Sequence, residues 1–114
     1  MIPVPTPEQA AALSTAERFV RLDLWEYFSN EVCPFWGIAV NTEKIHGTIT
    51  IEPRPAYCDR GNFIAKANFF EFVGSQATPI PWLDSQDGWP RYYFDFWNAV
   101  MECEAWLLKR KLLP

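Results

Sequence analysis

The sequence predicts an α+β fold: an N-terminal helix, a three- to four-stranded antiparallel meander sheet, and a long C-terminal helix packed on one sheet face. Three observations lead there. Near the C-terminus, Tyr93, Phe96, Trp97, Val100, Cys103 and Leu107 recur at helical spacing, with Arg91, Asp95, Asn98, Glu102 and Lys109 opposite. In mid-chain, Ile45 to Glu52 alternates strictly between apolar and polar, the pattern of a half-buried antiparallel strand. Near the N-terminus, Thr6-Pro7-Glu8-Gln9 has the side chains of a capped helix start, with proline at the first helical position. At 114 residues the chain is read as one α+β domain over 1–114.

In order, residues 1–6 carry Pro3 and Pro5 and are expected to form an extended arm. A short helical turn to Leu13 should follow. Ser14-Thr15-Ala16-Glu17 is a second capping box and predicts a helix from about 15 to 31, stopped by Pro34. Leu13, Ala16, Val20, Leu24 and Tyr27 share its core face, with Phe28 at the margin. Phe19, Leu22 and Trp25 fall off that face, so this helix carries more apolar surface than one contact consumes.

Phe35 to Asn41 reads as a strand with Trp36, Ile38 and Val40 on one side. The polar turn Asn41-Thr42-Glu43-Lys44 joins it to Ile45–Glu52 as a hairpin. In that second strand Ile45, Gly47, Ile49 and Ile51 face inward, and His46, Thr48, Thr50 and Glu52 outward. Pro53 and Pro55 end it or push it to an edge. Tyr57-Cys58-Asp59, a turn at Arg60-Gly61 and the run Asn62 to Val73 suggest a further hairpin. Phe63, Ala65, Ala67 and Phe69 share one face of that run. The step to Phe70 and Phe72 calls for a bulge.

Residues 74–89 read as a long loop pinned by Trp82 and Trp89. The closing helix is expected over Trp89 to Leu112. Pro90 would occupy its first turn and Asp87 its positive end, and Lys109, Arg110 and Lys111 suit its negative end. Phe94, Met101 and Leu108 form a flanking apolar stripe, and Tyr92 and Trp106 lie on the other flank. Glu104 breaks the pattern by projecting toward the apolar arc. A carboxylate there must pair with an Arg or Lys, tilt to the core edge, or hold a perturbed functional proton.

Composition narrows the function. Aromatics make up 17% of the chain, including six tryptophans, so some large rings are expected at the surface. The net charge is −4, and −7 once Lys109, Arg110 and Lys111 are set aside. That argues against duplex nucleic acid, whose affinity comes largely from phosphate neutralisation, and against an anionic membrane surface. No segment has the length and apolarity of a membrane span. The opening MIPVPTPEQ has neither a basic n-region nor an apolar h-region, so no signal peptide is expected. Cys33, Cys58 and Cys103 are odd in number and widely spaced, which reads as reduced thiols in the cytoplasm.

Motifs for chemistry are sparse. His46 is the only histidine, so any Ser/His/Asp or Cys/His site must use it. Its strand phase puts it on a solvated face, and a pairing with Cys58 and Asp59 has no support in spacing. Zinc spacing and phosphate-binding glycine motifs are absent, and Asp84-Ser85-Gln86-Asp87-Gly88 lacks the ladder of a calcium loop. No catalytic, metal or cofactor site is assigned. Pairing Glu104 with Asp84 or Asp87 as a hydrolase dyad is weaker than the structural reading. Trp82 and Trp89 could stack on a sugar, but anchoring a loop explains them more simply.

Two functional expectations follow. The first is a small acidic cytosolic protein-interaction module: an inhibitor, immunity-type factor or adaptor, of a kind common on mobile genetic elements by analogy. Its partner would be another protein with a basic surface, met through Phe19, Leu22, Trp25, Trp82, Trp89, Tyr92 and Trp106. Homodimerisation would consume the same surface. The second is a small-molecule-binding domain or enzyme with a pocket between sheet and C-terminal helix, lined by Trp97, Glu104 and the 74–90 loop, with His46 as its one histidine.

Overall fold

A computed structural model describes residues 4–13, 20–29, 33–54, 61–80 and 91–113. Helix α1 spans Pro7–Ala11. Its N-cap Thr6 accepts from the Gln9 N–H, and the Gln9 side chain accepts from the Thr6 N–H, so the predicted capping box is formed. A 3-10 turn follows at Leu22–Leu24. The strands are β1 (Glu26–Phe28), β2 (Phe35–Asn41), β3 (Ile45–Pro53), β4 (Phe63–Val73), β5 (Gln76–Pro79) and β6 (Arg91–Tyr93). Helix α2 spans Phe96–Lys109.

The strands form one antiparallel sheet in the order β1-β2-β3-β4-β5, with β6 also on β4. Strand β4 is long enough to share its outer edge. Phe63–Ala65 pairs with β6, and Phe70–Val73 pairs with β5. Cross-strand partners share a face, so the register sorts the sheet. Trp36, Ile51 and Ala65 lie in one inward row, and Ile38, Ile49 and Ala67 in the next. Gly47 and Phe69 are opposed in a third. Here a methyl group on Gly47 would run into the Phe69 ring and the Asn68 carbonyl. The other face carries Ala39, Thr48 and Asn68, then Asn41, His46 and Phe70.

Helix α2 covers the inward face at β3, β4 and β6. Phe96 meets Phe63 at one end, and Trp106 meets Phe69 at the other, with centroids 5.8 and 5.1 Å apart. Ala65 and Ala67 lie between those phenylalanines on the same face of β4 and leave room for the helix. Val100, Cys103 and Leu107 are completely buried against this face. Burying each Val or Leu side chain there is worth about 1.5–3 kcal/mol.

The α+β reading holds at the level of an antiparallel sheet with a C-terminal helix. The detail differs in five places. The sheet has six strands among the described residues, not three or four. The helix expected over 15–31 is replaced, from Val20 onward, by the 3-10 turn and β1; 14–19 and 30–32 lie outside the described residues. Here the ladder with β2 and the packing of Tyr27 on Trp36, at 5.3 Å, outweigh a weak helical preference. The closing helix starts at Phe96. Asp95 is its N-cap, accepting from the Asn98 N–H at 3.0 Å, and Arg91–Tyr93 is strand. The 74–89 loop contains β5, while 81–90, with Pro90, Asp87 and the DSQDG run, lie outside the described residues, as do Pro55 and Tyr57 to Arg60.

No bulge interrupts β4. Its register with β3 is continuous from Phe63 to Glu71, and Phe70 and Phe72 simply face outward with Ile64, Lys66 and Asn68. Of the extended arm expected over 1–6, residues 4–6 are described and lie outside helix and strand, held against the domain. Val4 is buried in the core, and the Pro5 carbonyl accepts the Trp36 indole N–H at 2.6 Å.

Candidate binding groove

Helix α1, the segment Val20–Asp23, strand β2 and helix α2 converge on a cavity of about 310 Å³. Its lining is apolar: Pro7, Ala10 and Ala11 from α1, Val20 and Leu22, Trp36 from β2 and Trp97 from α2. Asp23 is the charged exception. Its carboxylate is two-thirds exposed at the rim and pairs with the Arg21 guanidinium at 3.4 Å. The short side chains of the α1 alanines leave the hollow beside half-buried Trp97, with Trp36, only 4% exposed, beneath it.

Glu104 holds one wall. Its Oε1 accepts two hydrogen bonds, from the Arg21 backbone N–H at 2.8 Å and the Trp25 indole N–H at 3.0 Å. It thus fixes both ends of the 3-10 turn that presents Leu22 and Asp23. Burial pushes the Glu104 carboxyl above its ordinary value, and the two N–H donors and the nearby Arg21 charge oppose that only in part. The carboxylate lies behind the wall rather than in the cavity. Its role is to position: two N–H donors hold it, so it is not the unpaired acid of the sequence expectation.

The structure scatters the other expected site residues. Leu22 and Trp97 line the groove. Trp25 and Trp106 are core residues, 5% and 4% exposed, which corrects their assignment to a docking surface. Trp25 turns inward because its indole serves Glu104. Trp106 turns inward because the helix phase is set by the sheet; Phe69 takes one side of its ring, and the Arg110 guanidinium lies 4.9 Å from its centroid. Tyr92 is half-buried, with the Arg54 guanidinium 4.1 Å above its ring. Phe19, Trp82, Trp89, Cys58 and Asp59 lie outside the described residues. His46 stands on the outward face beside Phe72, at 5.0 Å, and so across the sheet from Trp36 and the groove. The pocket grouping of Trp97, Glu104 and His46 is therefore not assembled.

Two exposed apolar surfaces accompany the groove. On α2, Met101 and Leu108 are 58% and 57% exposed, with Phe94 at 67% just before the N-cap. On the outward sheet face, Phe28 and Phe35 stack at 4.7 Å beside a shallow depression floored by Gly37, Ala39, Thr48 and Thr50. Among the described residues no three His, Cys, Asp or Glu side chains cluster as a metal site, and no helix is long and apolar enough to cross a membrane. Cys33 and Cys103 are free thiols, both pushed toward the protonated form chiefly by burial.

Comparison with protein-family models, with curated proteins and with solved structures gives no match. Sequence reasoning found Leu22 and Trp97 but missed Pro7, Ala10, Ala11, Val20 and Trp36. The available signal was the Ala10-Ala11-Ala12 run, which puts small side chains on a helix facing a tryptophan-rich core.

Proposed function

We propose that the protein is a protein-binding module, of the inhibitor, immunity or adaptor type, that receives an apolar anchor side chain of a basic partner in the groove between α1 and α2. The observation that supports this most is the lining: two tryptophans and five aliphatic or proline residues, with one carboxylate at the rim. Such a site desolvates a bulky side chain and offers a flanking cation a partner, which is how interface hot spots are built. The charge of −4, together with Glu8 on α1 and Asp95 at the start of α2, favours steering of a cationic partner. The same reading assigns the protein to the cytoplasm, where its thiols stay reduced.

A displayed-peptide selection tests it. The expected sequences pair an aromatic or large aliphatic residue with Lys or Arg. Selected peptides should lose binding to Ala10→Trp, which fills the groove, and weaken with Asp23→Lys. No enrichment, or equal binding to Ala10→Trp, overturns the reading. The small-molecule alternative is favoured by the cavity volume alone, which lies at the lower end of ligand pockets, about 300–1,000 Å³. It predicts that a metabolite raises the melting temperature of the native chain and not of Ala10→Trp.

A further inference from the structure

We infer that α2 pairs with α2 of a second copy of this chain, antiparallel, along the exposed stripe Met101–Ala105–Leu108. This inference does not rest on the groove. Met101, Ala105 and Leu108 are all exposed and lie on one side of the helix. Glu102 and Lys109, also exposed, flank that stripe on a single side. The Met101-Glu102 and Leu108-Lys109 doublets are one heptad apart, so each presents an apolar residue and a charge at nearly the same angle. The charges have opposite sign.

That pattern is complementary to itself in one orientation. A parallel copy, related by a twofold axis along the seam, puts the two Glu102 on opposite sides of it, and likewise the two Lys109, so neither charge meets its opposite. An antiparallel copy, related by a twofold axis near Ala105, packs Met101 on Leu108 and brings Glu102 toward Lys109, twice by symmetry. Ala105 at the axis lets the helices approach to about 8–10 Å. The heptad spacing suits the shallow crossing in which an apolar seam stays in contact. The positive C-terminal end, with Lys111 beyond Lys109, also lies toward the Asp95 end of the copy. Such a one-helix contact is small, below about 1,200 Å² of total buried surface, so the dimer is weak and concentration-dependent.

Sedimentation from micromolar to millimolar protein tests this, with circular dichroism to verify that each variant is folded. A reversible monomer–dimer equilibrium is expected. Glu102→Lys or Lys109→Glu alone should weaken it by roughly tenfold or more, since two attractive pairs become repulsive. The double exchange E102K/K109E should return the affinity to within a few-fold of the native value, and Met101→Lys should abolish dimerisation. The inference is overturned by a monomer at every concentration, by a dimer indifferent to the single exchanges, or by a double exchange that stays as weak as the singles. Peptide binding to the groove is read separately, so failure here leaves that reading standing.

Discussion

The indole N–H of Trp25 donates to Oε1 of Glu104 across 3.0 Å, joining the N-terminal segment to the core-facing side of α2. The same oxygen takes the Arg21 N–H. Two donors, one buried and one part-buried, therefore depend on one acceptor, which makes the acceptor's chemistry separable from its charge. Glu104→Gln keeps a carbonyl oxygen at the site and should fold with stability within about 1 kcal/mol of the native chain at neutral pH. Glu104→Leu orphans both donors and should cost on the order of 1–3 kcal/mol for each. Urea denaturation of the two variants compares them; equal losses would mean that the hydrogen bonds are not what holds the turn.

The raised Glu104 pKa gives a pH dependence with a definite sign. Well below the ordinary value of 4.5 the carboxyl is protonated in folded and unfolded chains, and its contribution is fully present. As pH rises, the unfolded chain ionises first, so stability falls until the folded carboxyl has ionised as well. The native chain should therefore lose stability relative to Glu104→Gln as pH rises from about 4.5 upward. Taking the difference between the two proteins removes the other carboxylates. A difference that is flat with pH, or that grows in the native chain's favour, contradicts the assignment.

What could be read in the sequence divides along physical lines. The β2–β3 hairpin was legible because one face is buried and the other wet, so period-two alternation records it directly. Strands β1, β5 and β6 were not. Each has three or four residues, too short for a period, and each exists because a longer neighbour supplies its ladder. Tyr93 was placed correctly in the core and wrongly in a helix, since burial alone cannot tell a strand from a first helical turn. The groove was half legible: Trp97 and Leu22 stood out as large residues, while the alanines that make the hollow carry no signal of their own. Glu104 was visible as an anomaly, but its donors, a backbone N–H and an indole far away in the chain, were not.

Gly47 and Gly37 lie on the two faces of the hairpin and should respond differently to alanine. The Gly47 methyl would press into the Phe69 ring and the Asn68 carbonyl, with backbone on one side and a buried aromatic on the other. A loss of about 1–3 kcal/mol is expected. At Gly37 the nearest atom to an added methyl is 3.5 Å away, an ordinary contact on the outward face, and the change should be near neutral. Thermal melts of the paired variants test the register itself, because a one-residue slip would reverse which glycine is intolerant.

Trp106 tests which of the aromatic residues belong to the core. A surface role predicts that truncating it costs little and lowers binding to a partner. Its 4% exposure and its packing on Phe69 predict instead that Trp106→Ala removes about 3–5 kcal/mol, with Trp106→Phe losing less because a ring still meets Phe69. Met101→Ala, on the exposed side of the same helix, should change monomer stability by no more than about 0.5 kcal/mol. Chemical denaturation at low protein concentration, where self-association does not contribute, measures all three. If Trp106→Ala proves as mild as Met101→Ala, the indole is not packed between helix and sheet, and the phase of α2 on the sheet must be redrawn.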